Sequence, residues 1–272
     1  MTYLRYALLL IVVAALTVLV YRTSNRSWIN FHQAEALRAQ NNYAAATPIY
    51  QQLWNSGFTK RQVFERLTEC LYAVGNFIDA IPVCQTALAA SVPETPTSPP
   101  VTADAIPDWK ARWELARALS YTRRYDESIR EYNTLLQERP ALNEARMELS
   151  ETLYSAGQPD KGLHELLQVP DAALTEKARL LMADLHAALK EYAAAADIYR
   201  RHLAAYPNDD DARVKFADIL SWHEQYGDSL SQFEMLLKRK PDDIQLRRKY
   251  ANVLMWAGRH DEAVVEFKKT LK

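Results

Sequence analysis

Hydrophobic and polar positions recur along the chain with a period of thirty-four residues. The segment ILSWHEQYGDSLSQF at 219–233 is followed thirty-four positions later by VLMWAGRHDEAVVEF at 253–267. Seven units align over residues 27–272 when each is numbered from 1 to 34 and starts at residue 27, 61, 109, 143, 176, 210 or 244. A fixed period of this length predicts a stack of similar helical units.

Two positions of the repeat hold small residues. Position 8 is occupied by Ala34, Thr68, Ala116, Ser150, Ala183, Ala217 and Ala251. Position 20 is occupied by Ala46, Ala80, Ser128, Gly162, Ala195, Ser229 and Ala263. Two antiparallel helices approach closely only where no bulky side chain separates them, so each unit is predicted to be a helical hairpin. Proline at position 32 ends a unit in three cases, Pro140, Pro207 and Pro241.

The period, the small residues and the terminal prolines together resemble the tetratricopeptide-repeat family, whose unit is a helix–turn–helix hairpin. The resemblance covers about residues 27–272 and implies an all-α fold, a right-handed α-solenoid of about seven units. In that family, positions 2, 5, 6, 9, 12 and 13 of the first helices line a binding groove. Carried onto this sequence, the resemblance implies a partner-binding groove that includes Tyr72, Trp113, Arg117, Tyr121, Glu151, Tyr154, Trp222, Arg248, Asn252 and Trp256.

An aromatic residue recurs at position 12 or 13 in five units, at Tyr72, Tyr121, Tyr154, Trp222 and Trp256. Exposed aromatic rings in a groove supply large contact area for peptides or sugar rings at low entropy cost. The alternative is that each ring packs at the turn of its own hairpin. The sequence leaves both interpretations open.

The repeat pattern is interrupted twice. An insertion at 95–108, within SVPETPTSPPVTADAIP, is rich in proline and predicts an extended linker. It separates units 1–2 (residues 27–94) from units 3–7 (residues 109–272), either as a tolerated surface loop or as a hinge. The fourth unit is one residue short, and its second helix is predicted to be cut at LLQVPDAAL.

The first segment of the chain is apolar throughout. Tyr6–Tyr21 carries no charge, and counting from Thr2 gives a stretch long enough to span a hydrocarbon core of about 30 Å. A cleaved signal peptide is the alternative, but the small-residue cleavage site is poorly formed. Residues 1–26 are therefore predicted to be a transmembrane anchor of a single-pass bacterial inner-membrane protein with periplasmic repeats.

Sequence motifs for catalysis are absent. The six glycines are too scattered for a phosphate-binding loop, and no HExxH, GxSxG or CxxCH motif occurs. We therefore expect no enzyme activity, no cofactor and no metal. A net charge of −1 argues against nucleic acid as a partner. Cys70 and Cys84, at positions 10 and 24 of one unit, are either a disulfide or two buried thiols.

These observations favour a membrane-anchored scaffold that mediates protein–protein interactions in the assembly or organisation of a bacterial envelope complex. One alternative is a periplasmic module of exopolysaccharide synthesis or export, with a glycan guided along the aromatic residues. Another is a cytochrome c maturation factor or a translocon-associated chaperone-like factor. Chains with an anchor and repeats resemble all of these.

Overall fold

The computed structural model describes residues 2–91 and 104–271, with the side chains of this range apart from residues 2–11 and 22. The described residues form fifteen α-helices and no β-strand, which confirms the predicted all-α fold. The helices are α1 (Thr2–Ser24), α2 (Arg26–Ala39), α3 (Tyr43–Asn55), α4 (Arg61–Ala73), α5 (Phe77–Ala89), α6 (Asp108–Tyr121), α7 (Tyr125–Glu138), α8 (Asn143–Ser155), α9 (Pro159–Leu167), α10 (Glu176–Ala188), α11 (Tyr192–Ala205), α12 (Asp210–Trp222), α13 (Tyr226–Arg239), α14 (Ile244–Trp256) and α15 (His260–Lys269).

The predicted membrane location is wrong, and one structural finding overturns it. Within the described residues, no helix is both long and apolar enough to cross a membrane. The single-pass inner-membrane assignment is corrected accordingly.

Helices α2 to α15 form seven consecutive antiparallel hairpins, one for each unit of the repeat. The small residues at positions 8 and 20 are buried in every hairpin. The hydroxyls of Ser128 and Ser229 donate across the helix pair to the carbonyl oxygens of Ala116 and Ala217, at 2.7 and 2.8 Å. These short links show how closely the two helix backbones approach, which explains why no larger side chain occupies either position.

The turn inside each hairpin depends on one residue in the left-handed region. Position 15 has a positive φ in all seven units, with glycine in three of them and Asn41, Arg123, Lys190 and Glu224 in the others. The next residue donates its N–H to the carbonyl oxygen of position 11, as from Gln225 to Leu220 at 2.9 Å. This pattern closes the first helix and redirects the chain into the second.

The chain divides into two compact units, Met1–Ala141 and Leu142–Lys272. The predicted boundary at 95–108 stays a prediction; α5 and α6, the helices on either side of it, pack together within the first unit. The end of the insertion also attaches to α4: the N–H of Arg61 donates to the carbonyl oxygen of Asp104 at 3.0 Å, and Ile106 is buried. Residues 95–103, where the extended linker was predicted, lie outside the described residues.

The second unit contains the irregular fourth hairpin. As the sequence predicted, its second helix is cut short: α9 has 9 residues and is followed by Pro170 and a 3-10 helix, Asp171–Ala173. The second helices of the next two hairpins, α11 and α13, have 14 residues each. The second helix of the fourth hairpin is thus five residues shorter than those of the next two hairpins.

Candidate partner-binding site

The ten residues of the predicted groove fall in both compact units. Tyr72, Trp113, Arg117 and Tyr121 lie in the first unit, and the other six lie in the second.

In the first unit, the predicted groove residues contact one another and their neighbours. The hydroxyl of the half-buried Tyr72 donates to the backbone carbonyl of Glu114 at 2.6 Å. The guanidinium of Arg117 lies 5.1 Å from the ring centre of Trp113 and forms an ion pair with Glu114 at 3.1 Å. This set therefore serves packing between α4 and α6 as well as presenting surface.

Two of the three aromatic residues at position 13, Tyr121 and Trp222, pack against the aromatic residue at position 17 of the preceding unit. The rings of Tyr121 and Phe77 stack at 4.3 Å, and those of Trp222 and Tyr192 lie 6.1 Å apart. The partner of each ring is thus the residue that opens the preceding second helix, not the turn of its own hairpin. Each position-13 ring still keeps about half its surface exposed, 60% for Tyr121 and 51% for Trp222. The aromatic pattern at position 17 is the sequence signal for this pairing.

A cavity of about 440 Å³ in the second unit brings Tyr154 and Trp222 together. We call it the aromatic cavity. Its walls come from α8, α10, the turn after α10, α11 and α12, with Tyr192 as a third ring and Asp184, Lys190, Lys215 and Asp218 as the charged residues. The other four predicted residues of this unit lie on exposed surface outside its lining: Glu151, Arg248, Asn252 and Trp256.

Charged pairs connect the first helices along this surface. Asp184 accepts from the hydroxyl of Tyr199 at 2.5 Å and from Nζ of Lys215 at 2.6 Å. Burial and the hydrogen bond to Asp184 raise the pKa of Tyr199. One repeat further on, Asp218 pairs with Lys249, and burial raises the pKa of Asp218 despite that lysine.

A third pair has the same arrangement: Nζ of Lys177 lies 2.7 Å from the carboxylate of Glu151. In each case an acidic residue at position 9 binds a lysine on the next first helix. These pairs link the neighbouring first helices α8, α10, α12 and α14 beside the aromatic cavity. The sequence carries this pattern, an acid at position 9 and a lysine at position 2 or 6 of the following unit, but only the stacking of the helices shows that the two residues meet.

The two cysteines are buried free thiols in the structure, and the disulfide is not formed. Burial raises the pKa of the Cys70 thiol to about 11 and raises that of Cys84 as well. Such thiols are poorly nucleophilic near neutral pH. Among the described residues, no group of three or more His, Cys, Asp and Glu side chains is placed to hold a metal ion.

Comparison with known proteins agrees with this geometry. Models of the tetratricopeptide repeat match residues 113–175 and 176–219. The C-terminal part of a repeat-containing protein from Cytophaga hutchinsonii is similar in structure, with a TM-score of 0.64, 16% identity, and 89% of this chain and 94% of that chain covered. No curated protein matches the chain.

Two shorter structures are also similar. MamA has a TM-score of 0.54 and 21% identity, covering 60% of this chain and 90% of its own. YrrB, described as a tetratricopeptide-repeat protein with an unusual peptide-binding site, has a TM-score of 0.52 and 14% identity, covering 59% and 84%. The hairpins define an all-α repeat protein. Residues 113–219 match the tetratricopeptide-repeat models, so the chain contains repeats of this family.

Proposed function

We propose that this protein is a scaffold that binds a segment of a partner protein in the aromatic cavity. The observation that carries the proposal is the convergence of Tyr154, Tyr192 and Trp222, from three successive repeats, on one cavity. The assignment to an envelope complex depended on the predicted membrane anchor, so the proposal is limited to protein binding. The peptide-binding site described for YrrB, which shares the fold, is in keeping with this function.

The exposed part of the rings supplies the contact energy. Tyr154 is 39% exposed and Trp222 is 51% exposed. A buried aromatic side chain contributes about 150–250 Å² of surface, so covering the remaining half of Trp222 removes about 100 Å² from water. At about 25 cal/mol per Å², this contact stabilises a complex by about 2.5 kcal/mol.

The charged residues of the aromatic cavity can orient a bound peptide. Asp184 and Asp218 are already bonded to lysines, but the Lys215 side chain remains 54% exposed and has further N–H groups to donate. Those donors suit the backbone carbonyls of an extended peptide laid across α10 and α12. The aromatic cavity is already present in the chain without a partner, and a preformed site lowers the entropy cost of binding.

The test is affinity purification of the full chain followed by quantitative mass spectrometry. We expect partner proteins to be enriched with the wild-type chain and reduced about tenfold or more with the Tyr154→Ala/Trp222→Ala double variant, because each lost ring removes more than 1.4 kcal/mol. Trp222→Phe keeps a ring in place and should retain part of the binding.

Ile78→Ala is the control, because this side chain is exposed and is not part of the lining of the aromatic cavity. The proposal fails if the same proteins are recovered in equal amounts with the double variant and the control. Titration with oligosaccharides tests the glycan alternative: saturable binding that Trp222→Ala abolishes, with no protein lost, would replace the protein partner by a glycan.

A further inference from the structure

A second cavity, of about 720 Å³, lies elsewhere in the same unit. It occupies the space beside the shortened α9, and its lining comes from α9, the segment around the 3-10 helix, α10 and α11. We call it the α9 cavity. Its volume is within the range of about 300–1,000 Å³ that is typical of ligand pockets. It shares no lining residue with the aromatic cavity, so the inference below does not depend on the proposed function.

An arginine of the α9 cavity departs from a pattern kept in four other hairpins. There, the arginine at position 4 bonds to Glu or Gln at position 23 of its own hairpin, at 2.5–2.9 Å: Arg112 with Glu131, Arg146 with Glu165, Arg213 with Gln232, and Arg247 with Glu266. The fifth unit keeps the arginine, Arg179, but has Ile198 at position 23. Both residues line the α9 cavity.

Without its partner within the hairpin, Arg179 turns to the 3-10 helix. Its guanidinium bonds to the side chain and the backbone oxygen of Asp171, both at 2.6 Å. The Asp171 side chain is 85% exposed, and an ion pair in such a position is easily exchanged for another carboxylate. Arg179 is therefore available to a ligand in a way that its four counterparts are not.

The remaining charges leave the α9 cavity suited to an anion. Glu176 is already bonded to His202, at 2.6 Å. Arg201 donates to the backbone oxygen of Asp197 at 3.3 Å, and the pKa of Asp171 is lowered by Arg179 and also by the charge of Arg201. Two guanidinium groups, on α10 and α11, thus line one cavity. A planar guanidinium binds a carboxylate through two parallel hydrogen bonds.

Apolar side chains form the rest of the α9 cavity. Val169, Met182 and Ile198 line it, and Leu167 and Tyr206 extend the apolar surface at its rim with 65% and 52% of their surface exposed. Large apolar side chains this exposed are candidates for contact with a partner. Because the apolar surface continues past the cavity, it fits a chain with successive side chains better than one small enclosed molecule.

We infer that the α9 cavity is a second binding site, and that its ligand is a peptide segment with an acidic side chain next to a large apolar one. The carboxylate bonds to Arg179 and Arg201, displacing Asp171 from Arg179. The apolar side chain enters the space that a full-length α9 would fill, against Met182 and Ile198.

The test uses a phage-displayed library of random twelve-residue peptides, selected against the full wild-type chain. The inference requires enriched sequences in which Asp or Glu lies next to Leu, Ile, Phe or Trp. Synthetic copies should bind the Arg201→Ala variant about tenfold more weakly or worse, because a hydrogen bond to a charged group is lost. Ile198→Glu places a carboxylate at position 23, as in the hairpins that have Glu there. We expect this carboxylate to bond to Arg179 and therefore also to abolish binding of the peptide.

The control is Val265→Glu, which places the same charge on an exposed position of α15 in the same unit. It should bind the peptides as the wild type does, and circular dichroism should show Ile198→Glu as folded, since four hairpins carry Glu or Gln at that position. If Ile198→Glu does not fold, Arg201→Ala decides alone. Selection without an acidic–apolar motif, or binding that survives Arg201→Ala, overturns the inference.

Discussion

The close contact between helices at positions 8 and 20 makes a strong prediction for Ala217→Leu. Ala217 is fully buried, and its carbonyl oxygen lies 2.8 Å from the Ser229 hydroxyl of the facing helix. Leucine adds three carbon atoms where the two backbones are separated by a single small side chain. To make room, α13 must move away from α12 and expose part of Phe233, which is fully buried. Overpacking of this kind lowers the free energy of unfolding by about 1–3 kcal/mol.

The assay is urea unfolding followed by circular dichroism and by tryptophan fluorescence, in which Trp222 and Trp256 report on the second unit. With a denaturant slope of about 2 kcal/mol per molar, a loss of 2 kcal/mol lowers the midpoint by about 1 M. Ala193→Leu is the matched control, because it adds the same side chain at an exposed position of α11. Equal midpoints for the two variants would refute the argument that close contact between the helices requires small residues at positions 8 and 20.

Three further predictions concern single residues. Burial acts to lower the pKa of His202, but hydrogen bonds to two carboxylates outweigh burial, and the pKa is raised. The protonated His202 side chain therefore stabilises the fold fully below about pH 6.5. This stabilisation is lost as the pH rises through the pKa of the folded state. Urea midpoints measured from pH 5 to 9 should therefore fall more for the wild type than for His202→Gln; parallel curves would exclude this role. Cys70 and Cys84 should react with a thiol reagent at pH 8 only after unfolding, and no reaction in unreduced, unfolded protein would instead mean a disulfide. Glu224 has a φ of 61°, so Glu224→Gly should raise the free energy of unfolding by about 0.5–1 kcal/mol, and a lower urea midpoint would contradict this.

The sequence pattern was sufficient to predict the hairpins, because their packing is local and repeats in register. Small residues at positions 8 and 20 have one physical role, which is to let two helices approach closely. A pair of them within one unit, such as Ala183 and Ala195, therefore predicts the contact directly. The cut in the second helix of the fourth unit was also predicted, because Pro170 removes a backbone donor and cannot continue a helix.

The candidate sites required the structure, because their contacts join different repeats. The pairing of Asp184 with Lys215 depends on which helix faces appear side by side after stacking, and period alone does not give this. The α9 cavity arises from two departures from the pattern, the shortened helix and the replacement of an acid by Ile198. Each departure is visible in the sequence, but only the structure shows that both border the same cavity.

The most direct test of the proposed scaffold function is site-specific photo-cross-linking in cells. The photoreactive amino acid p-benzoylphenylalanine replaces Trp222 in one chain and Val265, an exposed residue outside both cavities, in another. Irradiation followed by denaturing electrophoresis and mass spectrometry should give a defined protein adduct from position 222 and none from position 265. Adducts of equal yield from both positions, or no protein adduct from position 222, would contradict a partner-binding role for the aromatic cavity.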